Sequence, residues 1–246
     1  MAKKFRADDL LVERALCETV EEARKYIMAG QVRGGNDRVI QKASEMLPSE
    51  QPLFLNLPLP YVSRGALKLK PAFAKYVSAP AGLIALDLGS STGGFTDLML
   101  QEGVSKVYAI DVGTGQLHYK LRTDERVISM EQTNARTLTS EQVPDLVDVV
   151  TSDVSFISVT KILEAASSLM KIDALAFILV KPQFEVPRSQ VGDGVIRDEA
   201  LRLAMVDKVK VFAEEKLNWQ CLDVLASDLK GPKGNQEYVV VFRKVS

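Results

Sequence analysis

The stretch Ala85-Leu86-Asp87-Leu88-Gly89-Ser90-Ser91-Thr92-Gly93-Gly94-Phe95-Thr96-Asp97 decides the fold of this chain. Residues 83–88 (LIALDL) are apolar but for Asp87, the pattern of a strand buried on both faces. Gly89, Gly93 and Gly94 follow, and residues 95–101 read as the opening of a helix. Strand, glycine turn and helix make the first unit of a parallel α/β sheet, which keeps its ligands at the carboxyl ends of its strands. Glycines there let the backbone take φ > 0 and approach a ligand closely. Their spacing, G-x-x-x-G-G, is not the G-x-G-x-x-G of dinucleotide binding. An acid just before the turn, with small residues within it, suits a nucleoside carrying an amino-acid tail better than a pyrophosphate. That description fits S-adenosyl-L-methionine; a tight turn in any α/β enzyme is the competing reading of the glycines alone.

Downstream, the alternation continues. Residues 106–111 (KVYAID), 126–130, 146–153 (LVDVVTSD) and 174–180 (ALAFILV) read as strands. Helices are expected at 158–170 and 198–216, and two last strands near 219–226 and 237–243. Such alternation predicts an α/β fold, a mostly parallel sheet with helices on both faces. Upstream, residues 57–60 (LPLP) are short and stiff, and residues 57–62 are taken as a linker between a small unit, 1–56, and a large one, 63–246. In the large unit Ser63 is placed to cap a helix over 64–76.

Within the small unit, Asp8 or Asp9 can cap a helix carrying Leu10, Leu11, Ala15 and Leu16 on one face. Thr19 with Glu22 makes a capping box for a second helix over 20–29, with Gly30 at its C′ position. Short extended pieces at 31–33, 38–40 and 52–55 surround a turn at 34–36. Two helices and a small hairpin, in ALCETVEEARKYIMAGQVRGGNDRVI, resemble the α-L RNA-binding motif. The residues at 20–21 and 33–35 depart from that motif, and acids nearly balance bases in this unit. A purely structural helical cap is the alternative.

Composition narrows the function. With 246 residues, 46% hydrophobic and 26% charged, the chain has ordinary globular composition. A formal net charge of −1 gives no global attraction to nucleic acid, so a basic surface would have to be local. The best local patch is 61–81, where Arg64, Lys68, Lys70 and Lys75 occur with no acid. No apolar run approaches the length of a membrane span, and the opening MAKKFRADDLL lacks the apolar core of a signal peptide, so the cytoplasm is expected. Cys17 and Cys221 form no CxxC pattern and His118 is the sole histidine, which argues against a metal centre or a Ser-His-Asp triad.

Candidate chemistry gathers at strand ends. Asp111 closes the second strand, where an acid can receive both ribose hydroxyls. Asp153 closes the fourth. Lys181 follows the fifth, where packing alone gives no reason for an ammonium. Lys68 and Glu237 complete two lysines and two carboxylates. The segments SRGALKL, DLGSSTGGFTD, AIDVGTGQLHYKLR, SDVSFIS, LVKPQFE and GNQEY, in that order, resemble the TlyA-type family, haemolysin-named 2′-O-methyltransferases of ribosomal RNA. These belong with the FtsJ-like RNA ribose methyltransferases, and the resemblance runs from Tyr61 almost to the C-terminus. It implies a Rossmann-like class I methyltransferase sheet, S-adenosyl-L-methionine as cofactor, ribosomal RNA or ribosomal subunits as partner, and cytidine as the expected nucleoside. By the same resemblance the catalytic set is Lys68, Asp153, Lys181 and Glu237. The cofactor set is Asp87, Gly89, Ser91, Gly93, Gly94, Phe95, Asp111, Val112 and Asn134, with Arg64 and Lys70 expected on RNA. Residues 194–198 (GVIRD) match a loop expected over the substrate. Two rivals stand beside this reading: a non-catalytic RNA-binding protein, which the complete set of four opposes, and a membrane-active haemolysin, which no basic amphipathic segment supports.

Overall fold

A computed structural model describes residues 3–187 and 191–246. The chain divides into two compact units, Met1–Pro60 and Tyr61–Ser246.

The first unit holds strands β1 (Lys4–Arg6), β2 (Val32–Gly34), β3 (Met46–Pro48) and β4 (Leu53–Leu55) with helices α1 (Ala7–Glu13) and α2 (Val20–Met28). β1 pairs with β3 and β2 with β4, both antiparallel. Leu10, Leu11, Ala23, Ile27, Val32 and Ile40 are the centre of its core. Thr19 caps α2, accepting from the Glu22 N–H at 3.1 Å, while Glu22 reaches back to the N–H of Glu18 at 2.8 Å. The first helix departs from expectation. It starts at Ala7 with Arg6 in the cap position and no side-chain cap, so neither Asp8 nor Asp9 caps it, and it ends before Ala15 and Leu16. The Asp8 carboxylate is instead buried under the guanidinium groups of Arg6 (2.7 Å) and Arg24 (2.9 Å). Burial pushes the Asp8 carboxyl up, but those two hydrogen-bonded cations outweigh it and hold the group at about 2. Residues 38–40 contribute only a single bridge, Arg33 to Val39, rather than a strand.

The second unit is a seven-stranded sheet. Its strands are β5 (Ile84–Leu88), β6 (Lys106–Ile110), β7 (Val127–Met130), β8 (Val147–Ser152), β9 (Met170–Val180), β10 (Trp219–Ala226) and β11 (Tyr238–Lys244), in the order β10-β11-β9-β8-β5-β6-β7. The five strands from β7 to β9 are parallel, and β11 runs antiparallel to both β9 and β10. The chain winds outward from β5 through β6 to β7, then returns to β8 on the other side of β5. That reversal opens a crevice at the carboxyl ends of β5 and β8.

Both faces are covered. Helices α3 (Ala66–Tyr76) and α4 (Gly94–Glu102) pack on one through Leu69, Phe73, Leu98 and Met99. A short helix, α5 (Tyr119–Arg122), follows β6; helices α6 (Thr160–Ser168) and α8 (Glu199–Leu217), with the short α7 (Pro182–Glu185) between them in the chain, pack on the other through Ile162, Leu163, Val206 and Val209. In β11 the run YVVVF sends Val239 and Val241 to the first face and Tyr238, Val240 and Phe242 to the second, so a strand with two-residue periodicity is apolar throughout. Helix α3 begins at Ala66 with Gly65 in the cap position. Ser63 lies two residues too early to reach the first free N–H groups, and it lines the crevice instead. No helix among the described residues is long and apolar enough to cross a membrane.

Candidate active site

Register brings the three strand-end residues Asp153, Lys181 and Glu237 to one edge. Ser152 pairs with Leu88 and Ile178, so Asp153 leaves the sheet beside the glycine turn after β5. Val180 pairs with Tyr238, so Lys181, just after β9, comes out beside Glu237, just before the antiparallel β11. Lys68 reaches the same edge from α3. The result is two ion pairs: Lys68 Nζ to Glu237 Oε2 at 2.6 Å, and Lys181 Nζ to Asp153 Oδ1 at 2.6 Å. Lys181 also donates to Ser155 Oγ at 2.8 Å, whereas its contact with Asp153 lies outside hydrogen-bond geometry.

Glu237 is wholly buried, and among the described residues nothing donates a hydrogen bond to its Oε1. The backbone of Gly231 lies against this carboxylate so closely that a Cβ at Gly231 would overlap Oε1. Gly231 does not occupy the left-handed region, so its missing side chain serves space rather than backbone conformation. Gly231→Ala should therefore push Glu237 off Lys68 and lower turnover by about 100-fold if both belong to the catalytic group. Affinity for a ligand in the two adjoining cavities of the crevice should hold, because neither Lys68 nor Glu237 lines them. Kinetics of the single variants and of Gly231→Ala/Glu237→Ala check this: the double variant should be no worse than Glu237→Ala alone.

Two adjoining cavities open at the crevice. One, of about 190 Å3, is lined by Asp87, Gly89, Ser91, Gly94, Phe95 and Lys181, among others. Its neighbour, of about 380 Å3, is lined by Asp111, Val112, Asn134, Ile110, Ile157 and Gln116, among others. Gly89, Ser91, Asp153 and Ser155 belong to both walls. Gly89 has φ 79°, and a Cβ there would stand 3.1 Å from the carbonyl oxygen of Asp153, so only glycine fits this crossing point.

Asp87 is buried under the turn, where its carboxylate accepts from Thr96 Oγ1 at 2.7 Å and Thr151 Oγ1 at 2.8 Å. Burial pushes its carboxyl up to about 6, against the pull of those hydroxyls. In the larger cavity each Asp111 oxygen accepts one backbone N–H, from Ser91 (2.8 Å) and Gly113 (2.7 Å). Each oxygen keeps a second lone pair for a ligand hydroxyl. Glu131 accepts from the N–H groups of Gly115, Gln116 and Leu117, which pull its carboxyl below the usual range and fix the wall bearing Val112 and Gln116.

Of the residues singled out in the sequence, Gly93 lines neither cavity; it caps α4 and packs against Leu117 and Leu121. Asn134 lines the larger cavity, and its Oδ1 accepts the Arg136 N–H at 3.0 Å. Arg64 and Lys70 are exposed, with Lys70 Nζ 5.7 Å from the centre of the Tyr61 ring. Sequence reasoning missed Ser155, Glu131 and Gly231. Ser155, a small polar residue two places beyond a strand-end acid, carried a signal that could have been used; Gly231 carried none. Among the described residues no group of three or more His, Cys, Asp or Glu could hold a metal ion.

A sheet of this order, with its crevice beyond β5 and β8 and a strand-turn-helix cradle of glycines, defines a Rossmann-like methyltransferase. The chain belongs to the FtsJ-like methyltransferase family, whose model matches residues 61–244. It is 42% identical over 245 residues to the 16S/23S rRNA (cytidine-2′-O)-methyltransferase TlyA of Mycobacterium tuberculosis, covering 99% of this chain and 91% of the relative. It is also 38% identical over 245 residues to Hemolysin A of Brachyspira hyodysenteriae, covering 97% and 99%. A solved structure of a hemolysin-named protein of Streptococcus thermophilus superposes with a TM-score of 0.74 at 38% identity, covering 100% of this chain and 90% of that one.

Proposed function

We propose that this protein transfers a methyl group from S-adenosyl-L-methionine to the ribose 2′-hydroxyl of a cytidine in structured ribosomal RNA, and that it works in the cytoplasm. The observation that carries the reading is the pair of lysine–carboxylate couples at one edge of the sheet, of which Lys181 and Asp153 line the adjoining cavities.

The cavities suit the cofactor. Asp111 has lone pairs free for the two ribose hydroxyls, and Ile110, Val112 and Ile157 offer apolar walls to a flat base. Asn134 adds an amide beside them. Asp87, Gly89, Ser91, Gly94 and Phe95 would hold the amino-acid end, Asp87 supplying a buried negative charge for its ammonium. The cofactor supplies a sulfonium methyl group, already electrophilic.

The chain's task is to deliver the nucleophile. A ribose hydroxyl is a poor nucleophile until it is aligned and relieved of its proton. Lys181 in its neutral form acts as the base: held by Asp153 and Ser155, its amine takes the proton of the incoming hydroxyl. The Lys68–Glu237 couple orients the ribose beside it. Arg64 and Lys70 are exposed cations suited to phosphate. Incubation with labelled S-adenosyl-L-methionine and separated ribosomal subunits, followed by mapping of ribose methylation, tests the reading. Lysis of erythrocytes by pure protein that transfers no methyl group would favour the haemolysin named among its relatives.

The unit Met1–Pro60 is read as an RNA-holding module, supported by the two-helix layout that resembles the α-L motif. Deleting residues 1–60 should leave cofactor binding intact while weakening RNA binding, because two linked contacts gain affinity through effective concentration. The parent should lose RNA affinity more steeply with salt than the truncated form. Equal affinities and equal salt slopes would leave this unit a structural role only.

A further inference from the structure

The segment that carries Lys181 touches the segment that carries Asp153 at three successive places. Lys181 meets Asp153 and Ser155. Phe184 packs on Phe156 with ring centres 5.2 Å apart. Glu185 then closes the far end: its Oε2 accepts from Ser158 Oγ at 2.6 Å and its Oε1 from the Val159 N–H at 2.7 Å. Glu185 is only 4% exposed and lines neither cavity. It sits on the four-residue helix α7 (Pro182–Glu185). Lys208 of α8 donates to its carbonyl oxygen at 2.8 Å and stands 3.6 Å from its carboxylate.

Between these fastenings the 153–159 loop holds an unfavourable conformation. Phe156 has φ 67° and the residue is 85% exposed, so neither the backbone preference of a bulky residue nor deep burial keeps it there. Such strain persists only where the surroundings over-determine it. Val159 is the cap residue of α6 and no local side chain caps that helix, so the Glu185 carboxylate, arriving from another element, takes its place.

We propose that Glu185 is a positioning residue: by pinning Ser158 and Val159 it holds the strained loop so that Asp153 and Ser155 stay against Lys181. This rests on the catalytic reading of Lys181 and Asp153 given above. Glu185→Ala removes both acceptors. It should lower kcat by about 10- to 100-fold per folded molecule and weaken the NMR cross-relaxation between the Phe156 and Phe184 rings, with little change elsewhere. Glu185→Gln keeps an acceptor for Val159, and the Ser158 hydroxyl can turn to accept from its amide. It should recover kcat to within about threefold of the parent and restore the contact between the Phe156 and Phe184 rings. Should Glu185→Ala fail to fold, Ser158→Ala, which removes one of the two bonds, decides the matter by the same two readings.

Loss of the Phe156–Phe184 ring contact together with lost kcat, both rescued by Glu185→Gln, is the expected result. Lost kcat with the ring contact intact, a lost ring contact with unchanged kcat, or failure of the glutamine to rescue would each overturn the proposal. If the parent protein transfers no methyl group, the catalytic reading falls separately, and the ring contact alone still decides whether Glu185 holds the loop.

Discussion

Lys181→Ala is expected to lower methyl transfer by about 10²- to 10⁴-fold while leaving affinity for S-adenosyl-L-methionine nearly unchanged. The residue is 7% exposed and lines the crevice, and among the described residues its amine's polar partners are Asp153 and Ser155, so its chemistry is directed at the crevice and not at solvent. Lys181→Arg separates charge from proton transfer. A guanidinium can still accompany Asp153, but it does not give up its proton at any working pH and cannot serve as a base. If Lys181 removes the hydroxyl proton, the arginine variant should be nearly as inactive as the alanine variant. Single-turnover assays with saturating cofactor, set beside calorimetric binding, make the comparison. Near-normal transfer by Lys181→Arg would leave Lys181 an electrostatic role, and near-normal transfer by Lys181→Ala would remove it from the mechanism.

Asp87→Asn is expected to move stability and cofactor binding in opposite directions. The Asp87 carboxyl titrates at about 6 in the fold, against 3.8 for the free side chain. Between those values the unfolded chain has released the proton that the folded chain retains, so stability falls as pH rises through this window. Above about pH 6 the buried charge costs about 3 kcal/mol, which asparagine avoids. The amide can still accept from one of Thr96 and Thr151 and donate to the other, whose hydroxyl can turn. The variant should therefore melt several degrees higher than the parent at pH 7.5 and at nearly the same temperature at pH 4. Its cofactor affinity at pH 7.5 should drop by about 10- to 100-fold, the range for losing a charge-assisted contact to the ammonium. In the parent, affinity should weaken as pH falls below 6 and Asp87 takes up its proton; in the variant this dependence should vanish. Parallel binding profiles for the two proteins would remove Asp87 from the cofactor site.

The sequence by itself determined the second unit almost element by element. Runs such as ALAFILV and YVVVF are apolar at every position because β9 and β11 are covered on both faces, and that pattern survives without knowledge of their neighbours. Lys68, Asp153, Lys181 and Glu237 were legible as polar residues at element ends and through family motifs; which lysine pairs with which carboxylate was not. The register of Tyr238 on Val180 and of Ser152 on Ile178 brings Asp153, Lys181 and Glu237 to one edge from segments dozens of residues apart, and Lys68, arriving from α3, takes Glu237 while Lys181 takes Asp153. The first unit was read less well. Three-residue strands such as β1 and β3 show too little alternation to be recognised. Asp8 has the look of a helix cap in sequence, yet Arg24 arrives from another helix and claims its carboxylate. Gly231 and Glu185 lie at the same limit: one matters for the room it leaves a carboxylate, the other for the loop it holds, and contacts of that kind exist only once the chain has folded.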